Sequence, residues 1–225
     1  VIEIGPGLGA LTRPLLSSLE KLDLLEIDRD LVAYWNQENL KGLKVIEGDA
    51  LKFDFLDWAK NRGDAKGLCK VVGNLPYNIS SPLLFHLVSA AKEIDEQVFM
   101  LQAEVVERMV AKAGSSDFSR LSVMLQARYD MELVLEVPPE AFDPMPKVNS
   151  AVVRMIPRRD FDLSDVQWHS LEKVVAAAFS QRRKMLRTNL QAFSDRLHLS
   201  EEELKARAQD ISVGRYIEWA KTLSS

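Results

Sequence analysis

Short apolar runs typical of β-strands alternate with helical stretches through the first two-thirds of this chain of 225 residues. The predicted strands cover residues 1–4, 22–27, 44–47, 70–73 and 97–101, and the predicted helices cover residues 10–20, 29–39, 80–91 and 104–112. Such alternation builds βαβ units and a mostly parallel sheet, whose ligands bind beyond the carboxyl ends of the strands. The sequence therefore predicts an α/β, Rossmann-like fold.

The pattern changes after residue 119. A predicted helix near 120–129 precedes two predicted strands at 131–137 and 150–156, which a proline-rich loop separates. Strands this close in sequence indicate an antiparallel pair at one edge of the sheet. Beyond residue 157 the pattern is helical, at 164–179, 182–194, 200–208 and 212–223, with Ser200 and Ser212 as predicted N-caps. We therefore predict an α/β domain at 1–157 and a small all-helical domain at 158–225.

Composition excludes several classes of protein. No apolar run approaches the roughly 20 residues that a membrane-spanning helix needs. One cysteine cannot form an internal disulfide, and three scattered histidines form no metal-ligand pattern, so we expect a cytoplasmic protein without a metal. The formal charge of −4 excludes a protein that is basic overall, but residues 158–225 hold 12 Lys and Arg against 10 Asp and Glu. A local basic surface is compatible with these numbers.

The chain begins with Val1-Ile2-Glu3-Ile4, which already has the pattern of a core strand. The segment before such a strand normally helps to cover the sheet. We therefore expect a further N-terminal segment to precede Val1.

A glycine-rich loop, Gly5-Pro6-Gly7-Leu8-Gly9, follows the first predicted strand. Glycines let the backbone turn tightly and approach a ligand closely, but many nucleotide-binding proteins share such a loop. Here the spacing is G-x-G-x-G, and Pro6 removes an N–H where a pyrophosphate needs donors. Both details favour a ligand without phosphate, such as S-adenosylmethionine, over a dinucleotide.

Two acidic residues follow the next strands. Glu26 closes the second strand about 20 residues beyond the glycine loop, where an acid can accept hydrogen bonds from both ribose hydroxyls of a cofactor. Asp49 follows the third strand. It either accepts from the amino group of the cofactor's adenine or serves as a turn residue, and the sequence leaves both alternatives open.

The segment Gly73-Asn74-Leu75-Pro76-Tyr77-Asn78 ends the fourth strand. The amino nitrogen of adenine is a poor nucleophile because its lone pair is delocalised into the ring. An Asn74 side-chain oxygen and the Leu75 carbonyl, each accepting one N–H, would localise that lone pair, while Pro76 holds the loop rigid. Tyr77 would stack on an unpaired or flipped base. This pattern favours methylation of an amine over hydride transfer.

Five motifs carry a closer resemblance: Glu-Ile-Gly-Pro-Gly at 3–7, Glu-Ile-Asp at 26–28, Gly-Asp-Ala at 48–50, Asn-Leu-Pro-Tyr at 74–77 and Pro-Lys-Val-Asn-Ser at 146–150. In this order they resemble the ribosomal RNA adenine dimethyltransferases, over essentially the whole chain, and within them the bacterial small-subunit enzymes.

The resemblance implies N6,N6-dimethylation of adjacent adenosines in small-subunit ribosomal RNA, on immature small subunits. We expect a monomer, since nothing in the sequence suggests an obligate dimer. The resemblance implies that Phe142 lies on the face of the target adenine opposite Tyr77. It also implies an N-terminal Gln-Asn-Phe-Leu-type motif that this chain lacks. The implied cofactor contacts are Gly5, Gly7, Glu26, Ile27, Asp49, Ala50 and Asn74.

Basic residues cluster in Arg182-Arg183-Lys184-Met185-Leu186-Arg187, on a predicted helix. Arg183 and Arg187 would share one face of that helix, suited to phosphates. The alternative is a solvated helix face. We predict RNA contacts at Arg182, Arg183, Lys184 and Arg187, and at Lys147 in the proline-rich region.

Three rival functions remain open from the sequence. A large-subunit adenine methyltransferase of the macrolide-resistance type shares the same motifs. A nicotinamide-dependent oxidoreductase shares the glycine loop, although the Asn-Leu-Pro-Tyr segment argues against it. The third rival is an RNA-binding assembly factor whose methylation is incidental.

Overall fold

The computed structural model of this chain describes residues 1–61, 67–160 and 163–225. Seven strands form one sheet: β1 (Ile2–Ile4), β2 (Leu22–Glu26), β3 (Leu43–Glu47), β4 (Lys70–Asn74), β5 (Glu96–Gln102), β6 (Tyr129–Val137) and β7 (Ser150–Pro157). Their order is β3-β2-β1-β4-β5-β7-β6. All pairings among the first five strands are parallel, and β7 pairs antiparallel with β5. This confirms the predicted α/β fold with an antiparallel edge.

The register brings the carboxyl ends of the parallel strands to one edge of the sheet. Ile4 at the end of β1 aligns with Leu25 of β2 on one side and with Gly73 of β4 on the other. The strand order reverses at β1, and the crevice at such a switch point is where open α/β sheets bind ligands. The segments that follow β1, β2, β3 and β4 therefore share one edge.

The helices among residues 1–110 are α1 (Thr12–Leu16), α2 (Arg29–Glu38), α3 (Phe55–Lys60), α4 (Ser80–Val88) and α5 (Ala103–Val110). Sequence periodicity missed α3 because it has six residues, fewer than two full turns. Its start has a local signal, since the Asp54 side chain accepts from the Asp57 N–H at 2.8 Å.

The region behind the glycine loop is a tight apolar cluster. Leu22 and Leu24 of β2 pack with Trp35 of α2, and all three side chains are at most 1% exposed. Burying a side chain of this size contributes roughly 1.5–3 kcal/mol. This cluster fixes α2 against the sheet next to the loop that follows β1.

The chain divides into two compact units. The sheet unit comprises residues 1–106 and 132–157, and the helical unit comprises residues 107–131 and 158–225. The predicted boundary at 157 coincides with one of these divisions, but the predicted domains place residues 107–131 with the sheet. Inside the helical unit, the Gln126 side chain donates to the carbonyls of Met109 and Ala111, both at 2.8 Å, which ties this segment together.

The two units have opposite formal charge. The helical unit holds 16 Lys and Arg against 13 Asp and Glu, a charge of +3. The sheet unit holds the remaining 13 against 20, a charge of −7. The helical unit contains α6 (Arg120–Gln126), α7 (Asp165–Ala178), α8 (Leu186–Asn189), α9 (Glu201–Lys205) and α10 (Val213–Ser224).

One predicted helix of the helical unit is wrong. Residues 182–194 do not form a single helix, because residues 181–184 are a turn and α8 has only four residues before a short 3-10 helix at Gln191–Phe193. The backbone of this segment instead pairs with a distant one. Met185 forms an isolated antiparallel bridge with Arg207, and the Leu186 N–H donates to the Ala206 carbonyl at 2.9 Å. Tertiary pairing overrides the local helical pattern here.

The predicted caps of the last two helices are confirmed. The Ser200 hydroxyl accepts from the Glu203 N–H at 3.2 Å, and the Glu203 carboxylate accepts from the Ser200 N–H at 2.8 Å. The Ser212 hydroxyl accepts from the Arg215 N–H at 3.3 Å. Across the described ranges, no helix has the length and apolar character needed to cross a membrane.

Candidate active site

The glycine loop lies at the switch point of the sheet. Gly5, Gly7 and Gly9 have φ values of +66°, +54° and +94°, a region that side chains rarely adopt. The Gly5 N–H donates to the Leu25 carbonyl at 3.0 Å, which anchors the loop to β2. A Cβ added to Gly5 or Gly7 would meet no atom within 4 Å, so the backbone of both faces open space. The loop can therefore bring its backbone against a ligand.

Trp35 supports this loop from behind. Its indole N–H donates to the Gly7 carbonyl at 2.9 Å, although 28 residues separate them. A Cβ on Gly9 would lie 2.5 Å from the Trp35 ring. The packing of Trp35 therefore requires a glycine at position 9. No local pattern signals this long-range contact.

Glu26 lies at the end of β2, with 6% of its surface exposed. Its Oε1 accepts from the backbone N–H groups of Ile27 and Asp28 at 2.8 and 3.0 Å. These bonds orient the carboxylate and leave Oε2 as an acceptor. Ile27 beside it is 65% exposed, so its side chain is open to contact with an apolar ring.

Asp49 has the turn role that was one of its two alternatives. Its Oδ1 accepts from the Leu51 N–H at 2.9 Å, and its backbone carbonyl accepts from Lys52 and Phe53. Oδ2 faces the Lys52 ammonium at 3.8 Å. Ala50 beside it is buried. The Gly48 N–H donates to the Glu26 carbonyl at 2.8 Å, which holds the segment after β3 next to the end of β2.

The segment 74–77 leaves β4 at the same edge. Asn74 is exposed, and Leu75 is 1% exposed with its N–H donating to the Met100 carbonyl at 3.1 Å. None of the hydrogen bonds described for the chain uses the Leu75 carbonyl, so it is available as an acceptor. The Pro76 carbonyl accepts from the Ile79 N–H and the Ser80 hydroxyl, at 3.2 and 3.0 Å. These bonds hold the loop at the end of β4, with the Asn74 side chain on its exposed side.

Tyr77 is 41% exposed, and its hydroxyl lies 3.3 Å from the Ser150 hydroxyl. Phe142 is half-buried in the loop between β6 and β7, where its N–H donates to the Pro139 carbonyl at 3.1 Å. In the part of the chain that the structure describes, the Tyr77 and Phe142 rings form no ring contact with each other. Their placement on opposite faces of an adenine stays a prediction. Lys147 is exposed in the same loop.

An open cavity of about 1860 Å³ lies in the sheet unit beside the glycine loop. Its lining includes Gly5 and Gly7 of the glycine loop and Gly73 and Asn74 at the end of β4. The predicted cofactor residues after β2 and β3 do not line it, and they lie at the same sheet edge beside it. The structure thus brings the glycine loop and Asn74 to one space.

Glu3 is a further buried acid in this cavity that the sequence analysis did not single out. It lies in the middle of β1 with 2% exposure, and its Oε2 has no hydrogen-bond partner among the described residues. Burial raises the pKa of Glu3 to about 6, and the nearby Thr12 hydroxyl offsets part of that rise. A charged residue inside a core strand is the signal that could have indicated it.

The basic cluster lies in the helical unit. Arg183, Lys184 and Arg187 are exposed and form no ion pair among the described residues, whereas Arg182 donates to the Ser116 carbonyl. The expected helix face shared by Arg183 and Arg187 is wrong, since Arg183 lies in the turn. The bridge between Met185 and Arg207 instead brings the backbone of Arg207, 22 residues away in sequence, beside this cluster.

Within the described residues, no group of three or more His, Cys, Asp or Glu side chains could hold a metal ion. The candidate site consists of backbone groups, the Asn74 amide, the Glu26 and Asp49 carboxylates and the Tyr77 ring.

The strand order with its antiparallel edge and the glycine loop after β1 define a Rossmann-like fold, the kind that S-adenosylmethionine-dependent methyltransferases have. Residues 1–224 match the family described as Ribosomal RNA adenine dimethylase. The chain therefore belongs to the ribosomal RNA adenine dimethylase family and is a methyltransferase.

Curated relatives agree with this family. The chain is 52% identical to "Ribosomal RNA small subunit methyltransferase A" of Burkholderia multivorans over 231 residues, covering 100% of this chain and 83% of the relative. It is 50% identical to the protein of the same name in Burkholderia pseudomallei, with the same coverage.

Two solved structures resemble the fold. A dimethyladenosine transferase from Plasmodium falciparum superposes with a TM-score of 0.78 at 25% identity, covering 97% of this chain and 87% of that one. The 23S rRNA methyltransferase ErmE superposes with a TM-score of 0.68 at 22% identity, covering 100% and 90%.

Proposed function

We propose that this chain transfers methyl groups to the N6 amino nitrogens of adjacent adenosines in small-subunit ribosomal RNA, two to each base. The observation that supports this most is the open cavity that the glycine loop shares with Asn74. A methyl donor held by the loop would lie in the same space as the acceptors that activate an amine.

The residues around the loop fit S-adenosylmethionine. The space beside Gly5 and Gly7 accommodates a ligand pressed against the backbone, and Pro6 removes a donor that only a phosphate would need. Glu26 Oε2 would accept from ribose hydroxyls, with Ile27 as an apolar contact for the adenine ring. Asp49 Oδ2 and Ala50 would flank that ring. When bound, the cofactor supplies a methyl group already activated on its sulfonium.

Asn74 and Leu75 act on the nucleophile. The Asn74 side-chain oxygen and the Leu75 carbonyl each accept one N–H of the adenine amino group. This draws the nitrogen towards tetrahedral geometry and localises its lone pair for in-line attack. Because the loop is anchored through the Leu75 N–H, positioning requires little reorganisation. The methylated ammonium is acidic enough to lose its proton to water, so no dedicated base is required.

Tyr77 and Phe142 hold the base between their rings after it leaves its helix or loop. Stacking on an aromatic side chain contributes about 1–3 kcal/mol for each base. Lys147, in the same loop as Phe142, would contact a neighbouring phosphate.

The helical unit would bind RNA through Arg182, Arg183, Lys184 and Arg187. A cation that already has an acidic partner must give it up to contact a phosphate. The absence of ion pairs at Arg183, Lys184 and Arg187 among the described residues therefore favours this surface, as does the +3 charge of the unit.

The small subunit is favoured over the large subunit as the substrate. Relatives at 50–52% identity carry the small-subunit name, whereas the large-subunit enzyme ErmE shares the fold at 22% identity. We further propose that the protein works as a monomer in the cytoplasm on immature small subunits, and without a metal.

The test is methyl transfer from labelled S-adenosylmethionine to undermethylated small subunits and, in parallel, to large-subunit RNA. Nucleoside mass spectrometry then identifies and maps the product. We expect N6,N6-dimethyladenosine only in small-subunit RNA. Product confined to large-subunit RNA would keep the chemistry and overturn the substrate. Calorimetric binding of the cofactor without any transfer would favour the assembly-factor alternative.

A further inference from the structure

The hydroxyl of Tyr77 has one hydrogen-bond partner among the described residues, the hydroxyl of Ser150 at 3.3 Å. The two residues are 73 positions apart and differ in environment, since Ser150 is 2% exposed and Tyr77 is 41% exposed. An exposed tyrosine ring normally samples several rotamers. Here the buried hydroxyl of Ser150, in β7, contacts the phenol oxygen of the ring.

The partner hydroxyl is held rigidly by β5. Ser150 is the first residue of β7 and pairs with Gln102, the last residue of β5, while the Ala103 N–H donates to the Asn149 carbonyl at 2.9 Å. The Asn74–Tyr77 loop is anchored to the same strand, through the bond from the Leu75 N–H to the Met100 carbonyl. β5 therefore sets the distance between the loop and Ser150.

The consequence is a ring fixed at both ends. The rigid loop holds the Tyr77 backbone, and Ser150 holds the phenol oxygen. A large part of the side chain nevertheless stays open to solvent. A ring already held in its bound orientation loses less conformational freedom when a base stacks on it.

We infer that Ser150 is a positioning residue for the target base, acting through the Tyr77 hydroxyl to fix the plane on which the adenine stacks. This inference rests on the proposed function of the Asn74–Tyr77 loop. It gives Ser150 a role in the reaction without contact with the reacting atoms.

The test is a double-mutant cycle of Ser150→Ala, Tyr77→Phe and the double variant, with undermethylated small subunits as substrate. Each single change removes the same hydrogen bond, so we expect each to lower kcat/KM for RNA by about threefold to tenfold. The double variant should lose no more than either single variant, and the affinity for S-adenosylmethionine should not change. Losses that multiply in the double variant, or a wild-type rate for Ser150→Ala, would overturn the inference.

A second measurement does not depend on methyl transfer. A single-stranded oligonucleotide carrying 2-aminopurine reports stacking by fluorescence quenching. We expect weaker quenching with Ser150→Ala and with Tyr77→Phe than with the wild-type protein, and equal quenching by all three would contradict the inference. Absence of product from the wild-type protein in the first assay would instead count against the proposed function.

The matched control is Ser122→Ala in the helical unit. Ser122 is another fully buried serine, and its hydroxyl donates to the Arg108 carbonyl. Its loss should lower stability without changing the 2-aminopurine signal. A Ser122→Ala variant that weakens quenching as much as Ser150→Ala would assign the effect to general destabilisation and overturn the inference.

Discussion

The sheet unit carries a formal charge of −7 and builds its site from the ends of parallel strands, whereas the helical unit carries +3 and exposes its cations in a turn. In the sheet unit, backbone register places Gly5, Glu26 and Asn74 at one edge, and their chemistry follows from that position. In the helical unit, one isolated bridge between distant segments decides which cations lie together.

The comparison separates chemistry from affinity. An acidic unit repels a polyanion unless its contacts are specific, so the sheet unit would supply base recognition and methyl transfer. A basic unit attracts phosphates irrespective of sequence, so the helical unit would supply binding. The predictions below test this division.

The largest expected effect is on chemistry. Asn74→Ala removes one of the two proposed acceptors for the adenine amino group and should lower kcat by at least about a hundredfold, by analogy with the loss of one preorganised hydrogen-bonding group in other enzymes. RNA affinity, measured by filter binding, should stay close to that of the wild-type protein. Asn36→Ala, an exposed asparagine in α2, is the control. Turnover of Asn74→Ala at the wild-type rate would refute the mechanism.

The next effect is on affinity. The triple variant Arg183→Ala, Lys184→Ala and Arg187→Ala should bind small-subunit RNA about tenfold to a hundredfold more weakly. The slope of log K against log salt should fall by roughly 2–3 units, since each lost phosphate contact removes about 0.7–0.9. kcat at saturating RNA should change little.

The matched control for that variant removes the same charge elsewhere in the helical unit. Lys173, Lys205 and Lys221 are exposed lysines of α7, α9 and α10. If their triple alanine variant weakens binding equally, net charge rather than the cluster drives affinity.

A third effect tests the support of the glycine loop. Gly9→Ala places a Cβ 2.5 Å from the Trp35 ring at a φ of +94°, so it should lower the free energy of unfolding by about 1–3 kcal/mol and weaken cofactor binding. Calorimetry measures both. Combining it with Trp35→Leu should recover part of the loss, because the smaller side chain makes room. Full additivity of the two changes would rule out the contact.

The smallest effect concerns Glu3. Its pKa is about 6 in the folded protein against an ordinary value of 4.5, so the folded state binds the proton more tightly. The contribution of Glu3 to stability is therefore largest below pH 4.5 and is lost as the pH rises through 6. Glu3→Gln removes that loss and should stabilise the protein by about 1–2 kcal/mol above pH 6. Thermal melts at pH 4.5 and pH 7 measure the difference, and an equal effect at both pH values would contradict the shifted pKa.

Much of the sheet unit could be predicted because its information is local. Alternating apolar runs predict all five parallel strands, and the residues at their carboxyl ends are site candidates without any knowledge of the register. Local signals also indicated the caps at Ser200 and Ser212, since a capping residue and its partner lie within three positions.

The failures share one cause. The helix predicted at 182–194 begins only at Leu186, whose N–H donates to the Ala206 carbonyl, and the segment 107–131 groups with the helices through contacts inside that unit. Trp35 contacts Gly7, 28 positions away, and Ser150 contacts Tyr77, 73 positions away. A pattern of neighbouring residues carries no information about partners at such separations.

The sequence by itself therefore determined the α/β class, the cofactor loop and the order of motifs that identifies the family, because each is encoded in a short run of residues. Only the tertiary structure decided which cations lie beside Arg207, what supports the glycine loop and what holds Tyr77. These features depend on strand register and on bonds between distant segments, which exist only once the chain has folded.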